Sequence, residues 1–308
     1  MKGGVRAGLM IGAMVVSWSA YYALSKVMVG ATGSALLAGF LLRLFAFVFL
    51  TVQLAAEGIL PELLRQGRAT LILILIGTVG FLLDLFANLG YAGGSLSTGT
   101  ALLKTDVLMV NFATVLIYKK KLYPSDWAGT LVMLAGVLLV LGVDIHEMSL
   151  HVTDLFFILS ALCVTVNAFL IKAAQEKYRV GADIIAYYNN FVVLALFCAG
   201  ALAAGDFRAS SFGTVPGFWW LAALGGLAQT GLYFFYYRNL KKYEVWVVKL
   251  YLLLMPVVSC FIGVAFLDEV LTVKKLAGIA VVLGGAAVIL LRGRINREDA
   301  AGRPAHGG

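Results

Sequence analysis

The stretch "WAGTLVMLAGVLLVLG", residues 127–142, returns 149 positions later as "LAGIAVVLGGAAVILL", residues 276–291. Ala128/Ala277, Gly129/Gly278, Val132/Val281, Leu134/Leu283, Gly136/Gly285 and Leu141/Leu290 stand in register. Self-similarity at a fixed distance is the mark of a duplicated unit. Here it divides the chain into two halves, 1–148 and 149–292, followed by a tail at 293–308 whose Gly, Ala and charge content predicts disorder.

Composition says in which solvent the halves fold. Hydrophobic residues make up 61% of the chain, charged residues 13%, and the mean hydropathy is +0.94. A water-soluble domain is closer to half apolar and a quarter charged, so the chain reads as a membrane protein. Ten apolar segments follow one another: 7–28, 34–56, 70–91, 97–117, 125–143, 153–174, 181–203, 217–239, 245–266 and 273–291. Most have the roughly 20 residues that a helix needs to cross about 30 Å of hydrocarbon. Lipid leaves backbone polar groups no partner but the chain itself, and the runs do not alternate as barrel strands do, so helices are expected throughout. The first segment carries Trp18, Tyr21 and Tyr22 and no small-residue cleavage site, so it reads as a span rather than a removable leader. Gly8 and Gly12 form a GxxxG expected to pack closely within the chain.

Charge gives the orientation. Of the 24 lysines and arginines, 17 fall in the loops and ends on one side, and only Lys26, Arg208, Lys274 and Lys275 on the other; Arg43, Lys104 and Lys249 lie inside segments. The positive-inside rule then places both termini in the cytoplasm. Five spans per half is an odd number, so the second half enters the membrane upside down relative to the first. The expected fold is an all-α polytopic membrane protein of ten transmembrane helices, two inverted five-helix repeats around a central cavity, an architecture used by transporters. The net charge of +8 is explained by this loop bias and does not point to nucleic acid. Cys163, Cys198 and Cys260 sit singly in apolar runs and make neither a disulfide framework nor a metal site.

The first segment reads "WSAYYALSK" (18–26), and the last two contain "LMPVVSCFIGVAFLDEVLTVKKLAGIAVVLGG" (254–285), with Pro256, Gly263, Glu269, Gly278 and Gly285. In these motifs and over residues 7–292 the chain resembles the drug/metabolite transporter superfamily, in its ten-helix EamA branch, and within it the aromatic amino-acid exporters of the YddG type. The resemblance implies a bacterial inner-membrane exporter, single-chain and needing no ATP; the sequence has no GxxxxGK[ST] loop. The first half departs from the pattern, with Val107 and Lys120 where the offset of 149 puts Pro256 and Glu269.

Candidate binding residues follow from polar groups on apolar helices. Asp84, Asn88 and Tyr91 share one face of the third segment, and Lys104 and Asn111 one face of the fourth. A charge in a span costs at least about 2.5–3.5 kcal/mol, so Lys104 is expected to face a cavity or a carboxylate, with Asp84 as the natural partner. Asp106 lies about 200° around the helix from Lys104, at about 100° per residue, and is expected to form a structural ion pair with Arg43. The first segment offers Trp18 and Tyr22, the sixth Asn167, the seventh Tyr187 and Asn190, and the eighth Gln229, Tyr233, Tyr236 and Tyr237. Aromatic faces with a few amides suit a small amphipathic solute that stacks and hydrogen-bonds. Lys249, early in the ninth segment, either snorkels to the cytoplasmic surface or meets a substrate carboxylate. Pro256 removes a backbone donor and is the expected hinge.

Together these residues predict export of amino acids, aromatic and other zwitterionic ones, by alternating access. The alternative is export of drugs or other small metabolites, proton-coupled or facilitative. A proton-coupled drug antiporter fits less well, since neither the first nor the sixth segment has an acid in its apolar core. A nucleotide-sugar antiporter would want paired cavity lysines or arginines. An enzyme fits least: His146, His151 and His306 lie in loops or the tail, and no span has catalytic or metal-binding spacing. The expected partners are a small-molecule substrate and the lipid bilayer, with no nucleic acid and no cofactor, and the monomer is expected to be functional. A reporter fused after Arg292 should be active only in the cytoplasm and one inserted at His151 only outside; an external signal after Arg292 would remove the ten-span topology.

Overall fold

Once their backbone groups are satisfied along the helix axis, the apolar runs can lie directly against one another or against lipid. The computed structural model describes residues 2–93, 102–119, 124–141, 152–213, 215–255, 257–258, 261 and 272–285, and among these there are helices and turns but no strand. In chain order the helices are α1 (Lys2–Thr32), α2 (Ala35–Ala56), α3 (Thr70–Gly93), α4 (Asp106–Tyr118), α5 (Pro124–Leu141), α6 (Val152–Glu176), α7 (Ala182–Ala204), α8 (Phe218–Lys242), α9 (Val245–Leu252) and a last stretch, α10, over 273–285. Five of them, α1, α2, α3, α6 and α7, are long and apolar enough to cross a membrane. Helix α8 has 25 residues but is more polar, because a stripe of tyrosines and amides runs along its buried side.

Local signals set the joints. Gly33 has a φ of +65° and ends α1 in the left-handed region that glycine tolerates, and the Ser34 hydroxyl then accepts from Leu37 N at 3.1 Å to cap α2. At the far end of α8 the Lys172 ammonium on α6 donates to the carbonyls of Leu240 (2.7 Å) and Tyr243 (3.1 Å), satisfying acceptors that a helix end leaves open.

The packing repeats itself. Helix α1 lies on α8 and α6 on α3; α2 lies on α8 and α7 on α3; α2 pairs with α7, and α4 with α9. Exchanging the first five helices for the last five leaves this pattern unchanged. The glycines show why. A Cβ placed on Gly136 would stand 2.7 Å from the backbone nitrogen of Val282 and 3.0 Å from the carbonyl oxygen of Gly278. One on Gly285 would stand 2.7 Å from the Met133 side chain and 3.1 Å from the carbonyl oxygen of Gly129. Positions 129, 133 and 136 are the repeats of 278, 282 and 285, so α5 and α10 cross at the residues that announce the duplication. Gly77 on α3 against Val192, and its repeat Gly226 on α8 against Phe45, form a second such pair of close approaches.

The interruptions are paired too. Residues 104–105 and 253–254, again 149 apart, are turns rather than α-helix. There the backbone bonds shorten to i→i+3: Thr105 N to Leu102 O (3.1 Å) and Val107 N to Lys104 O (3.2 Å), Leu253 N to Leu250 O (3.0 Å) and Leu254 N to Tyr251 O (3.1 Å). Pro256, the expected hinge, lies outside the described residues.

One expectation is corrected. Nothing lies within 4 Å of a Cβ built on Gly8 or Gly12, so this GxxxG makes no close helix contact. Replacing Gly136 or Gly285 with Leu should therefore cost at least about 1–3 kcal/mol through overpacking, whereas Gly12→Leu should stay within about 0.5 kcal/mol. Thermal unfolding in detergent measures both, and equal melting temperatures would show that the crossing tolerates a side chain.

Candidate functional site

Helices α1, α2 and α3 from one half and α6, α7 and α8 from the other enclose a cavity of about 40 Å³. Its wall is aromatic, made by Trp18, Tyr21 and Tyr22 on α1 and Tyr233, Tyr236 and Tyr237 on α8; Arg43, Asp84, Asn167, Asn189 and Gln229 supply the polar groups, with Gly80, Leu83 and Leu232 between them. The Trp18 and Tyr236 rings meet edge to face at 4.8 Å.

The charged centre is Arg43 with Asp84. Each is 3% exposed. Asp84 Oδ2 accepts from Arg43 Nε at 3.0 Å, from the other guanidinium arm, and from the Tyr21 hydroxyl at 3.0 Å. Arg43 also donates to the Tyr233 hydroxyl and, at 3.4 Å, to Asn190 Oδ1, while its plane lies over the Tyr21 and Tyr233 rings with centroids at 5.6 and 5.3 Å. A fork of donors on one carboxylate, flanked by ring faces, is how a guanidinium is kept charged away from water. Two acceptors at the cavity, Asn189 Oδ1 and Gln229 Oε1, are buried and have no hydrogen-bond partner among the described residues.

The halves meet here in register. Gly80, Leu83 and Asp84 on α3 are the repeats of Gln229, Leu232 and Tyr233 on α8, and Trp18 on α1 is the repeat of Asn167 on α6. Four backbone positions therefore line the cavity twice, three of them with different chemistry on each side.

A second charged group lies behind the aromatic wall. Lys249 on α9 is fully buried, donates to Asp106 Oδ2 at 2.9 Å, and holds its ammonium 5.3 Å from the Trp18 ring and 5.5 Å from the Tyr236 ring. Lys104, at the break before α4, is 5% exposed and donates to Met255 Sδ at 3.1 Å.

Of the candidate residues, Trp18, Tyr22, Asp84, Asn167, Gln229, Tyr233 and Tyr237 line the cavity. Others stand outside its lining. Asn88 accepts from the Ser25 hydroxyl at 2.8 Å and donates to Ala35 O, Asn111 donates to the Thr130 hydroxyl at 3.4 Å, Tyr91 packs on Phe157, and Tyr187 lies against Phe47; Asn190 stands behind Arg43 and donates to its carbonyl at 3.1 Å. The expected Arg43–Asp106 pair is overturned: α2 lies beside α3, which gives Arg43 to Asp84, and α4 lies on α9, which gives Asp106 to Lys249. Lys104 does not pair with Asp84, and Lys249 does not snorkel. Tyr21, Gly80, Leu83, Asn189 and Leu232 were not foreseen. The offset of 149 carried the signal for Gly80, since it maps that position onto Gln229.

A helical membrane protein whose two halves share a buried polar cavity has the form of a transporter of small solutes. The EamA-like transporter family matches the chain twice, over residues 6–142 and 151–291, and the chain belongs to that family. No curated protein matches it. A solved crystal structure is similar at a TM-score of 0.70 and 19% identity, over 92% of this chain and 98% of its own.

The buried pair makes a thermodynamic test. Asp84→Asn should cost about 3–5 kcal/mol by leaving Arg43 charged and unanswered, while the double variant Arg43→Met/Asp84→Leu should regain most of the loss. A double variant no more stable than Asp84→Asn alone would show that the pair is not what those helices answer to.

Proposed function

We propose that the protein exports amino acids, aromatic and other zwitterionic ones, across the bacterial inner membrane by alternating access. In this reading ten spans form two inverted halves, 1–148 and 149–292, with both termini cytoplasmic. The observation that carries the reading is the Arg43–Asp84 pair set in an aromatic wall between the halves. A zwitterion can exchange its carboxylate and ammonium for the two protein charges, partner for partner, without leaving either one bare, and its aromatic side chain can stack where tyrosine rings now meet. A neutral solute has nothing to offer Arg43 or Asp84 if it parts them. The amides outside the lining support the cavity in this cycle, and Pro256 and the neighbouring break at 253–254 supply the bend.

The second reading, export of drugs or other small apolar metabolites, draws on the six aromatic side chains of the wall. Counterflow in proteoliposomes separates the two. Labelled tryptophan should be exchanged at least about tenfold faster than N-acetyl-tryptophanamide, its neutral analogue blocked at both ends, the loss expected for at least one charge-assisted hydrogen bond. Equal exchange of zwitterion and neutral analogue would favour the drug reading, and exchange of organic cations alone would exclude amino acids.

A further inference from the structure

We propose that Lys104, Asp106 and Lys249 form a second station for the carboxylate of the transported solute, separated from the first by the rings of Trp18 and Tyr236. The inference rests on the carboxylate-bearing cargo argued above, and extends it from one binding site to two in sequence.

Charge count is the first observation. The cluster has two ammonium groups and one carboxylate. Lys249 takes Asp106 at 2.9 Å, and Lys104, 5% exposed, is left with a thioether at 3.1 Å. Sulfur is a weak acceptor and answers none of the charge. A buried cation is retained where it is paired or where it serves a charged ligand. One further carboxylate would bring the cluster to two cations and two anions, while the Arg43–Asp84 pair is already balanced and must exchange partners to bind.

Position is the second observation. Trp18 and Tyr236 line the cavity with one side and stand 5.3 and 5.5 Å from the Lys249 ammonium with the other. The same two rings thus border both the cavity and the Lys249 ammonium. Asp106 still answers the Lys249 ammonium when a ring is displaced, so the barrier can yield without stranding Lys249.

The third observation is backbone geometry. Lys104 sits in the turn at 104–105, Met255 follows the turn at 253–254, and these are the two interruptions related by the internal repeat. Broken helices near an internal symmetry axis are where transporters place ligand groups, because both helix halves can shift there without breaking a continuous ladder of bonds. Lys104 spans the two breaks, and a carboxylate arriving from the cavity would displace Met255 from it.

The test uses the full chain purified in detergent and reconstituted. Benzoate, which has a carboxylate and no ammonium, should raise the melting temperature of the wild type and of Lys104→Arg but not of Lys104→Met; benzylamine should act alike on all three. Tryptophan counterflow should fall at least about tenfold in Lys104→Met, the loss of one charge-assisted contact, with tryptophan affinity little changed. Benzoate protection that is absent from the wild type, or equal in wild type and Lys104→Met, overturns the second station. So does failure of both Lys104→Met and Lys104→Gln to fold while Lys104→Arg folds, which would make Lys104 structural. Benzoate protection that depends on Lys104, in a protein that exchanges no amino acid, keeps the station and removes the amino-acid reading.

Discussion

Arg43 can stay charged in a low-dielectric interior only if the protein answers it, and the answer comes from three neighbours at once. Asp84 on α3 supplies the opposite charge, the Tyr233 hydroxyl on α8 takes the outer arm, and Asn190 on α7 brackets the residue from behind. A charge at that depth costs several kcal/mol if left alone. Helices α2, α3, α7 and α8 are therefore held in one arrangement by a single side chain, and that arrangement defines the floor of the cavity. The tyrosines then fall where they do because α1 and α8 must close over it.

The glycines do for the backbone what Arg43 does for the charges. In a bilayer the apolar surfaces of two helices gain little by leaving lipid, so association rests on how closely the backbones approach. Gly136 against α10 and Gly285 against α5 allow an approach that any side chain would block, and Gly77 and Gly226 do the same around α2 and α7. The duplicated residues are thus contacts, which is why the repeat is legible in two helices that do not line the cavity. Nothing about the solute constrains them.

Segment boundaries, the duplication and much of the cavity wall could be read in the sequence because they depend on local pattern: apolar length, the period of a helix face, and a register of small residues. Pairing of charges could not. Arg43 had two acids to choose from, Asp84 and Asp106, and the choice depends on which helices are neighbours, a property of the whole packing rather than of any one segment. The burial of Lys249 is hidden from the sequence for a related reason. Its place near the start of α9 looks superficial on a straight rod, yet α9 is interrupted at 253–254 and tucked against α4, so the ammonium is fully buried. Asn189 was passed over for its neighbour Asn190, since one residue along a helix turns a side chain by about 100° and no pattern in α7 chose between the two.

The coincidence of Asp84 with Tyr233 in the repeat has its own consequence. If the two orientations of the carrier are related by exchanging the roles of the halves, a chemically symmetric lining would give them equal energy and an empty carrier would rest as often one way as the other. An acid facing a phenol at equivalent positions breaks that degeneracy. The empty protein then has a preferred resting side, set by this pair together with the other unequal pairs of the lining, and the concentration at which it half-saturates can differ between the two faces of the membrane even when no external energy source drives it.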